Sequence, residues 1–317
     1  MLEQVKRLFP AYMILLETRL QAMNRLIESR KDRQIADLPC GYTARGIRMS
    51  RQGRVYYGLD LPAVIDTIGP ASAKIIGENS NIRYFAVDAT NYDSLKKAFS
   101  DETRNLMFTT EGLLMYFSQS ELEEVFSNIH RLLQQYGGSW VLTDRAYFLH
   151  DKDVVAASLH HDPRLIGLYS AITNQAAASA ADVKFNDNVF FDPDDEKVKA
   201  FIRKTGFDLT EICMADYLPD QLGSLSDDPE AEDAVRNEFK NMMFWELTVP
   251  KVANGESAPV SPDLPFAVKS EMENGVFSVS IQGRMDTITA PELLKQFQDA
   301  GEGIGSIHVD VSRMANR

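Results

Sequence analysis

The sequence predicts an α/β protein with a doubly wound, mostly parallel sheet, and two features of the chain carry this prediction. Short apolar runs alternate with longer amphipathic segments between residues 34 and 143. Successive strand–helix units of this kind favour parallel strands joined by right-handed crossovers. Several of the apolar runs also stop at an acidic residue, and open α/β sheets bind ligands at the carboxyl ends of their strands.

Length and composition are those of a globular protein. The 317 residues suffice for one large domain and a smaller second one. No apolar run approaches the roughly 20 residues of a membrane span, and the first residues lack the pattern of a signal peptide. Two cysteines, Cys40 and Cys213, are too few for a disulfide framework or a cysteine zinc site. We therefore expect a cytoplasmic protein.

The chain carries a net charge of −13. This charge argues against nucleic acid and anionic membranes as partners. Acidic residues outnumber basic ones most clearly between residues 186 and 265. A solvated acidic surface is one interpretation of this excess, and a docking site for a basic partner is the other.

Composition divides the chain into four parts. The first has apolar residues at three- and four-residue spacing, which predicts a helix over 2–30 with a break at Pro10. The third part combines three prolines with glycine and serine, as linkers do. The parts are an N-terminal helical segment at 1–33, the alternating domain at 34–250, a linker at 251–265 and a smaller domain at 266–317.

Within the alternating domain we predict seven strands. A helix begins at Pro62, and further helices are expected at 94–100, 118–136 and 194–205. Residues 146–190 lose the alternation and predict helices inserted after the fifth strand. The last two strands would close the sheet as an antiparallel hairpin. The seven strands are 34–39, 54–60, 82–87, 106–110, 139–143, 207–214 and 242–249.

The fourth strand ends at a carboxylate. Glu111 and Gly112 follow this buried run directly, and a capping box at Ser118 and Glu121 opens the next helix. Glu111 alone fits two interpretations, a cap of the turn or part of a ligand site. Polar groups at the ends of the other strands decide between them.

Polar groups lie at the ends of four successive predicted strands. Asp60 comes 19 residues after Gly41, close to the spacing at which an acidic residue on the second strand holds ribose hydroxyls. The loop after the first strand meets the amino end of a helix, which suits a carboxylate or phosphate. Because these strand ends line one crevice, they predict a nucleoside-type cofactor. The four groups are residues 37–41, Asp60, Asp88 and Glu111.

Three stretches at these strand ends resemble one family. They are residues 110–116, 57–65 and 87–89, which correspond to its fourth, second and third strands. Over roughly residues 10–250 the chain resembles the class I S-adenosylmethionine-dependent methyltransferases. More narrowly, it is similar to the leucine carboxyl methyltransferase family, which includes polyketide O-methyltransferases. The resemblance implies a seven-stranded Rossmann-like methyltransferase sheet with S-adenosylmethionine as cofactor and S-adenosylhomocysteine as product.

The resemblance also implies roles for individual residues. Gly41 would lie under the methionine part of the cofactor, and Arg19 would bind its carboxylate. Asp60 would take the ribose, Asp88 with Ala89 the adenine, and Glu111 would line the methionine end. The family's glycine-rich loop begins Leu-Gly-x-Gly, whereas here residues 38–41 read Leu-Pro-Cys-Gly. Pro39 therefore removes a backbone donor from the turn, while Arg45 still matches the arginine of the family's Asp-Thr-Arg.

The last part of the chain resembles a STAS domain, the fold of sulfate transporters and anti-sigma-factor antagonists. The resemblance rests on residues 283–287, 290–293 and 308–312. It implies a partial domain, because the segment that would carry the family's phosphorylatable serine does not follow. The domain is either truncated or degenerate. We expect an antiparallel hairpin at 266–282, a helix at 290–300 and a strand at 306–311.

Candidates for the acceptor side follow the fourth and fifth strands. A carboxylate acceptor needs no dedicated base, whereas a phenol needs one, for which His150, His160 or His161 would serve. His160 and His161 lack further ligands, so no metal is predicted. Cys40 is interpreted as a small buried side chain rather than a reactive thiol. An acceptor pocket could be lined by Tyr116, Arg145, Tyr147 and His150.

Two hypotheses follow. The first is an S-adenosylmethionine-dependent O-methyltransferase that methylates a carboxylate or hydroxyl of a small molecule. The intact set of Asp60, Asp88 and Glu111 favours it. The second is a non-catalytic regulator that combines a degenerate methyltransferase fold with a partner-binding STAS module. Pro39 and the appended domain favour this alternative.

Overall fold

The computed structural model describes residues 2–31, 33–77, 81–178, 188–250, 267–273, 276–283 and 306–314. The chain forms two compact units, Met1–Pro250 and Lys251–Arg317. The boundary between them falls where the predicted linker begins. Residues 251–265, the linker itself, lie outside the described residues.

A seven-stranded sheet is the centre of the first unit. Its strands are β1 (Gln34–Asp37), β2 (Tyr56–Asp60), β3 (Ile82–Ala86), β4 (Leu106–Thr110), β5 (Gly138–Leu142), β6 (Asp208–Cys213) and β7 (Met243–Thr248). Their order is β3-β2-β1-β4-β5-β7-β6. β1 to β5 are parallel, and β7 runs antiparallel to both β5 and β6. The predicted mostly parallel sheet with its closing hairpin is confirmed.

Helices cover both faces of this sheet. Two of them, inserted between β5 and the helix that precedes β6, confirm the change of pattern predicted over 146–190. In chain order the helices are α1 (Leu2–Ser29), α2 (Arg45–Arg51), α3 (Pro62–Ile76), α4 (Tyr92–Lys96), α5 (Gln119–Tyr136), α6 (Asp144–Ser158), α7 (Pro163–Ala178), α8 (Asp195–Lys204) and α9 (Pro229–Glu238). Among the described residues, no helix combines the length and the apolar character needed to cross a bilayer.

The strands alternate their side chains between two cores, as the pleat requires. On one face Ala36, Phe108 and Trp140 pack with residues of α5 and α8. On the other face Ile35 and Met107 pack with residues of α1, α6 and α9. Burial on both faces explains why β4 is apolar or β-branched throughout, and it fixes the position of the residue that follows the strand.

Local signals explain where α5 begins. Ser118 is its N-cap, and the Glu121 carboxylate accepts a hydrogen bond from the Ser118 backbone N–H at 2.8 Å. The Ser118 hydroxyl faces the Glu121 N–H in return, which completes the predicted capping box. This helix therefore begins where the sequence predicts.

The predicted break at Pro10 is wrong, because α1 continues through it. A proline inside a helix removes one backbone hydrogen bond and costs about 3 kcal/mol. Leu8 and Ala11, on either side of Pro10, are fully buried in a cluster with Val155 of α6 and with Leu159, which follows that helix. This packing offsets the cost and keeps the helix continuous. The helix predicted over 94–100 lies earlier, at α4.

The second unit contains three described strands, β8 (Ala267–Glu273), β9 (Val276–Gly283) and β10 (Ser306–Met314). β8 pairs antiparallel with β9, as the predicted hairpin requires. β10 pairs parallel with β9. The helix predicted at 290–300 lies outside the described residues.

Candidate functional site

The strand order reverses between β1 and β4, which pair directly in the sheet. This reversal makes a switch point, where doubly wound sheets bind ligands beyond the carboxyl ends of the strands. Asp37 is the last residue of β1, and Glu111 follows the last residue of β4. The two carboxylates therefore lie at the position that the fold makes most suitable for a ligand.

Arg45 connects these two carboxylates. Its Nη1 donates to both oxygens of Asp37, at 2.8 and 2.9 Å, and its Nη2 donates to Oε1 of Glu111 at 2.5 Å. Its Nε donates to Oδ1 of Asn24 on α1 at 2.8 Å. The Arg45 side chain is only 2% exposed. A buried guanidinium thus joins β1, β4, α1 and α2 at the edge of the sheet.

The Asp37 carboxylate accepts hydrogen bonds from two further donors. The Tyr56 hydroxyl donates to its Oδ2 at 2.9 Å, and the Thr109 hydroxyl donates to its Oδ1 at 2.7 Å. Together with Arg45, these groups satisfy a buried carboxylate completely enough that it needs no ligand. We therefore assign Asp37 a structural role, which is to hold Arg45 in place.

Burial and the neighbouring charges set the protonation of the cluster. Burial disfavours the charged form of Arg45, but the carboxylates of Asp37 and Glu111 outweigh it and hold the arginine pKa well above its usual range. Burial raises the pKa of Glu111, and the negative charge of Asp37 raises it further. The positive charges of Arg45 and Arg19 lower it only in part. Another cation would therefore stabilise the charged form of Glu111 more than that of any other member of the cluster.

Arg19 lies on the open side of Glu111. Its Nε is 3.8 Å from Oε2 of Glu111, and its side chain is 30% exposed. Its guanidinium also lies 5.7 Å from the centre of the Tyr147 ring. The structure therefore brings together Arg19 and Glu111, which the family resemblance assigned to the same end of the cofactor.

The turn after Glu111 is fixed by Asp144, which follows β5. The Asp144 carboxylate accepts hydrogen bonds from the backbone N–H groups of Gly112, Leu113 and Leu114 at 2.9–3.0 Å. Gly112 has a φ of 72°, which favours glycine. Burial raises the pKa of Asp144 even though these three bonds lower it in part. The carboxylate is used to shape the strand end.

Asp60 holds the loop that follows β1. Its Oδ2 accepts from the Gly41 N–H at 2.8 Å, and its Oδ1 accepts from the Leu61 N–H at 2.7 Å. Gly41 has a φ of 52°, and a Cβ added there would meet no atom within 4 Å. The carboxylate retains lone pairs for further donors, and the Gly41 backbone is open to close approach.

Pro39 leaves the anchoring of this loop intact. The Leu38 N–H donates to the Thr109 carbonyl at 2.9 Å, and the Cys40 N–H donates to the Leu59 carbonyl at 3.0 Å. The residues on either side of Pro39 therefore supply the bonds that fix the loop to β4 and β2. The peptide bond between Leu38 and Pro39 is cis.

The third strand end carries Asp88 and Ala89. Asp88 is exposed, and its Oδ1 accepts from the N–H and hydroxyl of Thr90 at 2.9 and 2.7 Å. Ala89 is buried, and its carbonyl accepts from the Asn128 side chain at 3.1 Å. Asp88 follows β3, the strand next to the one that Asp60 ends, so both lie on the same edge of the sheet.

A cavity of about 580 Å³ adjoins Gly112. One face of α6 forms a wall of it, with residues at i, i+3, i+4, i+7 and i+8 along the helix. α1 contributes Arg19 and Tyr12, and α7 contributes Tyr169. The α6 residues that line the cavity are Asp144, Tyr147, Phe148, Asp151 and Lys152.

Among the predicted acceptor residues, Tyr147 lines this cavity. Its hydroxyl lies 3.3 Å from the Thr18 hydroxyl, and burial raises its pKa above the usual range. It therefore remains a neutral phenol that can donate a hydrogen bond. Tyr116, at the end of a short 3₁₀ turn at Leu114–Tyr116, is 45% exposed.

Arg145 is fully engaged elsewhere. Its guanidinium pairs with Asp195, and its Nη1 donates to the carbonyl oxygens of Phe190 and Asp192 at 3.1 and 2.6 Å. The side chain is 1% exposed. It thus ties α6 to the segment before α8 and does not line the cavity, so the structure places it outside the predicted acceptor pocket.

The predicted histidines also lie outside the cavity. His150 Nδ1 is 3.9 Å from Asp153 Oδ2. His160 Nε2 is 2.7 Å from Asp228 Oδ2, beside a second cavity of about 700 Å³, and His161 is exposed. Within the described part of the chain, no three His, Cys, Asp or Glu side chains are placed to hold a metal ion.

The buried position of Cys40 agrees with its interpretation as a small core side chain. It is 2% exposed, and burial raises the pKa of its thiol well above the usual range. The group is therefore a neutral thiol rather than a nucleophilic thiolate.

The family resemblance matched Arg45 to a motif but gave it no role, and neither Asp144 nor Asp151 was predicted as a member of the site. Asp144 follows a buried strand directly, so the same rule that found Asp60 and Glu111 could have found it. The motif match of Arg45 does not reveal its partners, and Asp151 has no local signal, because the roles of both depend on how distant elements pack.

No family model matches the sequence, and no curated protein matches it. Similar solved structures include a TehB-like SAM-dependent methyltransferase from Corynebacterium glutamicum, with 16% identity over 73% of this chain and 88% of that one, at a TM-score of 0.38. A putative O-methyltransferase from Nostoc punctiforme has 12% identity, with 72% and 56% coverage and a TM-score of 0.41. Magnesium protoporphyrin IX methyltransferase from Synechocystis, solved with bound S-adenosylhomocysteine, has 7% identity, with 72% and 84% coverage and a TM-score of 0.37.

The chain thus spans just over half the length of the Nostoc protein. Similarity at these identities and TM-scores defines neither the family of this chain nor its substrate nor its catalytic residues. The site must be interpreted from its own geometry.

Proposed function

We propose that the chain is an S-adenosylmethionine-dependent O-methyltransferase that acts on a small molecule. The observation that carries the proposal is the convergence of Asp60, Asp88, Glu111 and Arg19 on one edge of a doubly wound sheet, around its switch point. A cavity that can take an acceptor adjoins the same edge at Gly112.

The chemistry of these residues fits S-adenosylmethionine. The cofactor carries a positive sulfonium, an ammonium, a carboxylate, two ribose hydroxyls and an adenine amine. Glu111 offers an acceptor to the ammonium, and Arg19 offers a donor to the carboxylate. Asp60 retains lone pairs for the ribose hydroxyls, and Asp88 supplies an exposed carboxylate for the amine. The open backbone at Gly41 allows close approach of the ligand.

When bound, S-adenosylmethionine supplies a methyl group to the acceptor oxygen and leaves as S-adenosylhomocysteine. The protein's contribution is alignment and exclusion of water. Arg45 and Asp144 fix the two sides of the Glu111 turn before any ligand arrives. The apolar cavity wall, with Phe148 and Tyr147, excludes water from the acceptor. A carboxylate acceptor needs no base. Tyr147 can donate a hydrogen bond to the oxygen of a carboxylate or of a hydroxyl acceptor.

Calorimetric titration with S-adenosylmethionine and S-adenosylhomocysteine tests this function. We expect saturable binding of both, weakened about tenfold or more by Asp60→Asn and by Glu111→Gln, since each removes a charged hydrogen-bond acceptor. Asp66→Asn, an exposed position on α3, is the matched control and should leave the affinity unchanged. No binding at millimolar ligand would contradict the proposal and favour the non-catalytic regulator.

For the second unit we propose a partner-binding module of the STAS type. The support is its strand pairing, an antiparallel β8–β9 hairpin followed by a third strand parallel to β9. Methyl transfer by the chain 1–250 at the rate of the full chain would show that this unit is not needed for the chemistry. A pull-down with residues 251–317 deleted would then test whether a protein partner depends on them.

A further inference from the structure

The cavity beside Gly112 has two chemically different ends. Its near end, at the strand tips, contains Gly112, Arg19 and Asp144. Its far end contains Asp151, seven residues further along α6, with Lys152, Tyr12 and Tyr169. At a rise of 1.5 Å per residue, the two carboxylates of α6 are separated by about 10 Å along the helix. A molecule that touches both ends must have about this length.

Two aromatic rings form part of the far end. The ring centres of Tyr12 and Tyr169 are 4.8 Å apart, and the rings are tilted by 42°. The buried hydroxyl of Tyr12 has no hydrogen-bond partner among the described residues. A buried hydroxyl without a partner is costly, and here it belongs to a side chain that lines the cavity. The far end therefore offers aromatic surface and one unused polar group.

Asp151 adds a negative charge to these rings. It is half-buried, and among the described residues its carboxylate forms no ion pair within 4 Å. The charged and titratable groups near it are Lys152 and Asp153 on α6, Tyr169 on α7 and Tyr12 on α1, and Arg19 lies at the near end of the cavity. Lys152 is exposed, and Arg19 already lies against Glu111. Lys152 lines the cavity at this end, but among the described residues neither it nor Arg19 lies within 4 Å of the Asp151 carboxylate, so neither forms an ion pair with it.

The electrostatics of the far end agree with this geometry. Burial raises the pKa of Asp151, and the adjacent Lys152 lowers it only in part. Burial, with smaller contributions from Tyr12 and the Asp151 charge, raises the pKa of Tyr169 to about 12. A cation placed between the rings and the carboxylate would relieve both effects, because aromatic faces and carboxylates each attract positive charge.

We propose that the cavity binds an elongated, mainly apolar molecule that carries an ammonium group at one end, held by Asp151, Tyr12 and Tyr169. The opposite end carries the oxygen that would accept the methyl group near Gly112. The proposal names the acceptor class of the methyltransferase function given above and rests on it. An arylalkylamine phenol has the required length, apolar ring and charge. Its oxygen would bond to the methyl carbon as the carbon–sulfur bond of the sulfonium breaks, and its proton would pass to Asp144, the carboxylate at the same end of the cavity.

The test compares three probes of similar size by calorimetry on the full chain, with and without saturating S-adenosylhomocysteine. Tyramine carries an ammonium, 4-propylphenol is neutral, and 3-(4-hydroxyphenyl)propanoate carries a carboxylate. We expect tyramine to bind about tenfold more tightly than either of the other probes. Asp151→Asn should remove this preference and leave the affinity for 4-propylphenol unchanged. Asp153→Asn, the same charge change at a 63% exposed side chain of α6, should preserve the preference.

Each other result has a definite meaning. Equal or tighter binding of the carboxylate probe would overturn the proposal, as would binding of none of the three probes at millimolar concentration. Loss of tyramine and 4-propylphenol affinity together in Asp151→Asn would show a packing role instead. S-adenosylhomocysteine binding without a tyramine preference would reject this inference alone. A tyramine preference without S-adenosylhomocysteine binding would reject the methyltransferase function and keep the amine site.

Discussion

The two regions on either side of the Glu111–Gly112 turn satisfy their polar groups in opposite ways. In the cluster of Asp37, Arg45 and Glu111, each charged group has a protein partner within hydrogen-bond distance. In the cavity, the Tyr12 hydroxyl has no such partner among the described residues, and the Asp151 carboxylate has a backbone hydrogen bond from Lys152 but no ion pair within 4 Å there. The first region therefore needs no ligand to satisfy its charged groups, whereas we propose that a ligand completes the second. Variants of each region test this difference.

The largest expected effect is on the rigid side. Arg45→Met leaves Asp37 and Glu111 buried without their shared cation, and breaking a buried ion pair costs about 3–5 kcal/mol. Denaturant unfolding should show a loss of this size. Arg48→Met is the matched control, because Arg48 is a 45% exposed arginine on the same helix, and an exposed ion pair contributes about 1 kcal/mol or less. Equal losses in the two variants would mean that the cluster is not the structural centre of the site.

Glu111 should make stability depend on pH in a defined direction. Burial raises its pKa in the folded state, so its contribution to stability is fully present below the unfolded pKa of about 4.3 and is lost as pH rises through the folded pKa. The free energy of unfolding of Glu111→Gln, relative to the native chain, should therefore rise from acidic to neutral pH. Unfolding curves at a series of pH values measure this.

Glu102 supplies the control for the pH series. It is exposed, and Glu102→Gln should differ from the native chain by the same small amount at every pH. A flat response for Glu111→Gln as well would show that its carboxyl is not held in the buried environment described above.

The smallest change in the free energy of unfolding is expected for Tyr12 in the cavity, and it is a gain in stability rather than a loss. Tyr12→Phe removes a buried hydroxyl that has no protein partner, so the free energy of unfolding should rise by about 1 kcal/mol. Tyr147→Phe removes a hydroxyl that faces Thr18 at 3.3 Å and should lower it by about 0.5–1.5 kcal/mol. Thermal unfolding distinguishes the two. Destabilisation by Tyr12→Phe would show that its hydroxyl is already satisfied.

The same contrast explains how far the sequence could predict the structure. Asp60, Asp88 and Glu111 each follow a short apolar run, and the capping box at Ser118 marks the start of α5. These are local signals, so both the sheet and its acidic strand ends could be predicted. The central position of Arg45 could not, because it depends on the pairing of β1 with β4 and on α1 packing over them.

The cavity was harder to predict for a related reason. Tyr12, Asp151 and Tyr169 come from three helices, and apolar spacing does not tell which helices share a face. Arg145 was expected beside the acceptor because it follows β5, but the carbonyl oxygens of Phe190 and Asp192 fix it elsewhere. Those carbonyls lie 45 or more residues away in the sequence, and no residue next to Arg145 indicates that they bind it.

The most direct test of the central claim is a crystal structure of the full chain with S-adenosylhomocysteine. The account predicts ribose hydroxyls on Asp60, the adenine beside Asp88 and Ala89, and the amino acid end between Glu111 and Arg19, with Arg45 still bonded to Asp37. Ligand density away from the β1–β4 switch point, or a bound ligand that does not touch Asp60 and Glu111, would contradict it.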